Sequence, residues 1–223
     1  MIPDAAQKQE TFFKLAFGQE RGLVCIAYLT QFKREFREEY FAYPNDLSQM
    51  LGAINRDTLN TNVYFCPQLL KAKKRIKENV TKTHTAWADL DTCHPDNLLV
   101  KPSIVVQSSP DRYQALWVLK DVDPDDAEDL SRRIAYRHED QGADRSGWDL
   151  TQLLRVPYTY NYKYDAPVVS VIHATRAEYN IEDFDEYPAT PDYIRTEIPF
   201  QEKQTCRHLL TIFCKCGAQA STL

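Results

Sequence analysis

The run Ser103-Ile104-Val105-Val106-Gln107-Ser108, the turn Ser108-Ser109-Pro110-Asp111 and the return Arg112–Leu119 constrain this chain most. β-Branched residues fill the first run, and such side chains pack well on a pleated surface. Ser, Pro and Asp together are turn chemistry. The segment 103–119 therefore reads as a β-hairpin, which means an antiparallel sheet. Upstream, Thr85-Ala86-Trp87-Ala88-Asp89-Leu90-Asp91 is an apolar, strand-like run that ends on two carboxylates. Residues i and i+2 of a strand share a face, so Asp89, Asp91 and Trp87 project together and Ala88 and Leu90 point the other way. Carboxylates so close repel each other and raise one pKa. A divalent cation between them removes the conflict, and ligation by oxygen alone suits Mg²⁺ or Mn²⁺. The plainer alternative is an Asp-rich strand end running into a polar turn.

The remaining elements follow in order. Residues 5–17 have the apolar spacing of an amphipathic helix, with Phe12, Phe13, Leu15, Ala16 and Phe17 inward. Gly22–Leu29 is a β-like run, and residues 30–43, aromatic and charged, fit no template well. Pro44-Asn45-Asp46 starts a helix that continues from Leu47 to Ile54, and Asn62–Cys66 is a strand that stops at Pro67. Asp123-Pro124 opens a helix to about Arg137, with acids in its first turn. Val168–His173 is a further strand. From about residue 176 the chain turns acidic and then Pro-spaced, like a linker or C-terminal arm over 176–223.

At 223 residues and 43% hydrophobic, the chain can bury one sizeable core or two small ones. No apolar run has transmembrane length and no signal pattern stands at the N-terminus, so a soluble, cytoplasmic protein is expected. Six glycines without a Gly-rich phosphate loop argue against P-loop, kinase and Rossmann folds. A net charge of -5 leaves nucleic-acid binding to a local patch. Lys71, Lys73, Lys74, Arg75 and Lys77 are that patch, the alternative being a solvated helix face. Cys206, His208, Cys214 and Cys216 are four soft ligands at unusual zinc spacings, to be weighed against a poorly ordered tail.

Residues 144–164 form a second dense stretch, neither helix nor strand by pattern, carrying Asp149, Arg155, Asn161 and Lys163 among four tyrosines. Irregular polar segments between regular elements are where sites concentrate. Three carboxylates can hold two cations about 4 Å apart, an arrangement that suits in-line attack on phosphorus. Arg and Lys beside them neutralise a triphosphate, and aromatics stack on bases or sugars. The residues alone thus point to metal-dependent phosphoryl or nucleotidyl transfer.

At these residues the sequence resembles the archaeo-eukaryotic primase superfamily, in particular the RepB-like primases and primase-polymerases of plasmids and phages. The family's acid-x-acid pair on a strand is matched by Asp89 and Asp91. Its Ser-turn-His hairpin, which binds the incoming nucleotide, is matched by Ser109, with Gln114 where the His is expected. Asp149 is the candidate for its third metal-binding acid. Its Arg-Val-Pro-Gly-Thr-x-Asn-x-Lys pattern is matched by Arg155 to Lys163, with Tyr158 in place of Gly, which implies a different turn and a possible stacking platform. The resemblance covers about residues 62–173.

The resemblance implies an α/β (α+β) fold, an RRM-like antiparallel sheet carrying the acids with an N-terminal α/β module beside it. The expected division is a catalytic domain over 1–175, with the module at about 1–60 and the RRM-like part at about 61–175. The implied activity is template-directed nucleotidyl transfer with Mg²⁺ or Mn²⁺ (two ions) in phage or plasmid replication. Asp89, Asp91 and Asp149 would hold the metals. Ser109, Arg112, Gln114, Arg155, Asn161 and Lys163 would hold the dNTP or NTP, and Lys73, Lys74, Arg75 and Lys77 the phosphates of nucleotide or single-stranded DNA template. A replicative helicase domain or protein is an expected partner, and the end of the chain is where such a domain would attach. Two other classes compete: a non-catalytic replication-initiator or RRM-like nucleic-acid-binding module, for which Gln114 speaks, and a metal-dependent nuclease using the same carboxylates.

Overall fold

The computed structural model describes residues 2–31, 34–56, 60–81 and 83–189. The chain opens with helix α1 (Ala5–Phe17), strands β1 (Gly22–Thr30) and β2 (Phe36–Tyr43), helix α2 (Leu47–Arg56) and strand β3 (Thr61–Phe65). Strands β4 (Thr83–Asp91), β5 (Ile104–Ser109) and β6 (Arg112–Val122) follow, then helix α3 (Pro124–Arg137), β7 (Leu154–Arg155), β8 (Ser170–Ala174) and β9 (Glu178–Tyr179). The expected helices and the hairpin are present. The segment that fitted no template is β2, an edge strand paired with β1 from Gly22↔Tyr43 to Leu29↔Phe36. Its charges obscure the apolar alternation, as edge strands commonly require.

Two mixed layers result. One sheet has the order β2-β1-β3-β7, and the other the order β4-β6-β5-β8 with β9 added parallel to β6. All other strand pairs are antiparallel. The division expected near residue 60 is crossed twice: β3 belongs to the first sheet, and β7, ninety residues further on by about that count, closes the same sheet through Tyr64↔Arg155 and Phe65↔Leu154. The two halves are thereby interlocked.

The second sheet buries both faces. Trp87, Ile104, Val106 and Leu116 face a core shared with α1, α2 and the first sheet. Ala86, Ala88, Leu90, Val105, Ala115 and Trp117 face a second core with α3. The alternation along β4 and β6 follows from the period of two. At the end of the first of these faces stand Asp89 and Gln114, paired across β4 and β6.

The 71–77 run, for which a solvated helix face was the plainer alternative, is not helical. It is a loop slung from the Leu70↔Val80 bridge, ending in a short 3-10 turn, Lys77–Asn79. Of the expected arm over 176–223, residues 176–189 pack on the second sheet, where β9 lies beside Val118 and Leu119 of β6 and Phe184 and Tyr187 are buried in the α3 core, while residues 190–223 lie outside the described residues. The acidic residues there face solvent around those aromatic anchors, which composition alone does not distinguish from a linker. Among the described residues no helix is long and apolar enough to cross a membrane.

Candidate active site

Asp89 is the centre of the site. It lies opposite Gln114, and after it the register shifts by a bulge so that Asp91 faces Tyr113 with φ 45°. The two acids thus stay neighbours, but the strand is kinked between them, as bulges beside sites often do. Burial, then the charge of Asp91, then that of Asp144 push the Asp89 carboxyl up to about 7. Asp91 is half-exposed and pairs with the Arg112 guanidinium.

The acid of the irregular stretch whose charge acts on Asp89 is Asp144. The Asp144 backbone N–H donates to the Asp89 carbonyl at 2.8 Å, and its carboxylate accepts from the Ser146 N–H and hydroxyl, each at 2.8 Å. Trp87 Nε1 donates to the Gly147 carbonyl at 3.1 Å, which holds this loop against β4. Gly147 eases the approach: a Cβ there would meet the Asp89 Cβ at 3.1 Å, a tight contact, and the Asp144 carbonyl at 3.4 Å. Asp149 is otherwise engaged. It accepts from the Thr151 N–H at 2.8 Å and stands 3.4 Å from the Lys77 ammonium, which also pairs with Glu128 at 2.7 Å. Burial opposes its charge, but the Thr151 hydroxyl and Lys77 outweigh burial and hold its carboxyl below the usual range. Both acids lie in the same irregular stretch, and nothing in their spacing separates them.

The nucleotide-binding candidates differ in what surrounds them. Ser109 is buried, and its hydroxyl has no hydrogen-bond partner among the described residues. A buried orphan hydroxyl is uncommon and points to a missing acceptor. Arg112 sits between Asp91 and the Tyr164 ring, 5.4 Å from the ring centroid. Lys163 lies 5.5 Å from the same ring. Arg155 is buried, donates to Asn62 Oδ1 at 2.8 Å, lies 4.9 Å from the Tyr64 ring and lowers the pKa of Asp89 by its charge.

Gln114 and Asn161 act as struts. Gln114 Oε1 accepts the Arg155 N–H at 3.0 Å, tying β6 to β7. Asn161 Nδ2 donates to the Ser108 carbonyl at 2.8 Å, tying the irregular stretch to the hairpin. Tyr158 does not change the turn as expected. Its φ of 59° lies in the left-handed region that glycine favours, so the glycine-like turn is kept, and its ring faces Lys8 at 5.6 Å.

The basic run also divides. Arg75 is nearly buried, donating to Glu38 at 2.7 Å and to the Thr151 carbonyl. Lys77 is taken by Glu128 and Asp149. Lys71, Lys73 and Lys74 are exposed. Cys206, His208, Cys214 and Cys216 lie outside the described residues.

Among the described residues no three His, Cys, Asp or Glu side chains stand close enough to hold a metal ion as they are. The donor chemistry nevertheless fits one. Asp89, Asp91 and Asp144 are hard oxygen donors, and two of them act against the ionisation of the third. A divalent cation relieves that conflict.

The family model of the RepB DNA-primase N-terminal domain matches residues 42–184, well over half of the chain. Among solved structures, the catalytic domain of the primase RepB′ in complex with initiator DNA aligns with a TM-score of 0.61 at 14% identity, over 87% of this chain and 100% of that one. The AEP domain of the cyanophage S-2L primase-polymerase aligns with a TM-score of 0.62 at 12% identity, over 81% and 97%. A further RepB′ structure gives 0.59 at 14% identity, over 93% and 68%. At these identities the likeness is one of fold. No curated protein sequence matches this chain.

Proposed function

The chain belongs to the RepB DNA-primase N-terminal domain family, and from that premise we propose that it carries out template-directed nucleotidyl transfer, as a DNA primase or primase-polymerase. The observation that carries the reading is the coupling of Asp89 to Asp91 and Asp144, with Arg112, Arg155 and the orphan Ser109 hydroxyl around them. Carboxylates held against their own repulsion beside cations make a site for a polyanion and its counter-cation.

In this reading Asp89, Asp91 and Asp144 hold Mg²⁺ or Mn²⁺. When bound, the cations would neutralise the triphosphate and lower the pKa of the attacking hydroxyl. Ser109 donates its hydroxyl to a phosphate oxygen. Arg112, now paired with Asp91, would give its charge to a phosphate with the cation bound at that carboxylate, and Lys163 would add a second positive charge. Arg155 stays buried and balances the acid cluster. Gln114 and Asn161 keep hairpin and irregular stretch in register. Lys71, Lys73 and Lys74 receive the phosphates of a single-stranded template.

Incubation with a primed template, labelled dNTP and Mn²⁺ tests the proposal. Extension that is lost in Asp89→Asn supports it. No reaction would leave a binding module, and degradation a nuclease.

A further inference from the structure

Tyr164 is one of few large apolar side chains left exposed among the described residues, at 37%. Its position is not accidental. The turn that carries it is pinned at two points: its own N–H donates to the Asn161 carbonyl at 3.3 Å, and Asn161 in turn holds the Ser108 carbonyl of the hairpin at 2.8 Å. Arg112 contacts the ring at 5.4 Å and pairs with Asp91 through the same guanidinium. The ring therefore stands one guanidinium away from the acid cluster. The second cation, Lys163, sits 5.5 Å from the ring.

We propose that the Tyr164 ring is the platform on which the base of the incoming nucleotide stacks while its phosphates engage Ser109, Arg112 and Lys163. The proposal rests on the nucleotidyl-transfer reading of the same site and adds what that reading lacks, a partner for the base. A nucleoside triphosphate is a polyanion joined to a flat aromatic ring. The cluster offers cations and an orphan hydroxyl for the first and an exposed aromatic ring for the second. Both cations are partly buried, and cation–ring contacts short of full desolvation are weaker than a base–aromatic stack. They are also the contacts a triphosphate would draw away, because Arg and Lys pair more strongly with phosphate oxygens. Binding thus uncovers the ring as it delivers the base. Tyr158, the other candidate platform, has its ring against Lys8 of helix α1.

The test is equilibrium binding of dATP and of inorganic tripolyphosphate, with Mn²⁺, to the full chain and to Tyr164→Phe and Tyr164→Leu. Tyr164 is exposed, so neither substitution disturbs the core. The expected result is dATP binding weakened by about fivefold or more in Tyr164→Leu, near wild type in Tyr164→Phe, and tripolyphosphate binding within about twofold of wild type in both. Equal dATP affinity in wild type and Tyr164→Leu would overturn the platform, as would a parallel loss of tripolyphosphate, which would mean that the residue only places the cations. Weakened binding of single-stranded DNA with unchanged dATP would assign the ring to the template and likewise overturn the proposal. In each of these cases primer extension by the wild type would leave the nucleotidyl-transfer reading standing. A wild type that neither extends primers nor binds dATP would overturn both.

Discussion

Replacing Asp89 by Asn should stabilise the protein in the absence of metal while abolishing synthesis. The Asp89 carboxyl is raised from 3.8 to about 7 by burial, Asp91 and Asp144. The folded state therefore holds that proton more tightly than the unfolded chain does. The favourable contribution is complete below pH about 4 and is lost as pH rises through about 7. Roughly three units at about 1.4 kcal/mol each sets a ceiling near 4 kcal/mol of destabilisation at pH 8. Asp91 is 48% exposed, and solvent screens its share, so about 2–4 kcal/mol is the working figure. For a chain of this size that corresponds to a Tm higher by roughly 5–15 °C in the variant. Thermal and denaturant unfolding in EDTA at pH 5 and pH 8 measure it. The gap between Asp89→Asn and wild type should be about 1–2 kcal/mol at pH 5 and about twice as wide or more at pH 8. Mn²⁺ should raise the wild-type Tm and leave that of the variant almost unmoved. An equal gap at both pH values, or none at pH 8, refutes the electrostatic argument for the site.

Asp144→Asn should abolish primer extension, whereas Asp149→Asn should leave extension intact and lower stability at pH 7, an effect that fades as acid protonates Asp149 in the wild type; parallel extension assays and pH-dependent unfolding distinguish the two acids. Gly147→Ala presses a methyl group onto the Asp89 Cβ at 3.1 Å and should cost about 1–3 kcal/mol together with activity, read by denaturation and extension. Gln114→Ala leaves the Arg155 N–H unpaired at a buried position and should cost about 1–3 kcal/mol by denaturation. Neutralising Lys73 and Lys74 should flatten the salt dependence of single-stranded DNA binding by about 0.7 in log–log slope per lost contact, while Arg75→Ala should instead lower stability by about 3 kcal/mol through the stranded Glu38 carboxylate; an unchanged slope would return the two lysines to the role of a solvated surface.

Local chemistry was enough to place helices α1, α2 and α3 and most of the longer strands. The β-branched run at 104–106 could only be a strand, Ser-Ser-Pro-Asp could only be a turn, and Pro124 behind Asp123 opened a helix in the chain as in the pattern. The face carrying Trp87 and Asp89 followed from a period of two and holds in the structure. The edge strand β2 escaped because its charges serve the unpaired edge and mask alternation.

What the chain could not disclose along its length was which side chains are already spent. Asp144 and Asp149 are alike in sequence. One is drawn to Asp89 by a backbone hydrogen bond and the absence of a Cβ at Gly147; the other is neutralised by Lys77 from a loop seventy residues away by rough count. Arg75 and Lys73 are neighbours in one basic run, yet Arg75 is nearly buried against Glu38 and Lys73 is exposed. Gln114 read as a weakened ligand and also ties β6 to β7; Tyr158 read as a changed turn and sits at positive φ. The physical reason is common to all four. Secondary structure answers to spacing within a few residues, but the charge state and availability of a side chain answer to whatever the fold packs beside it, and only the assembled sheets decide that.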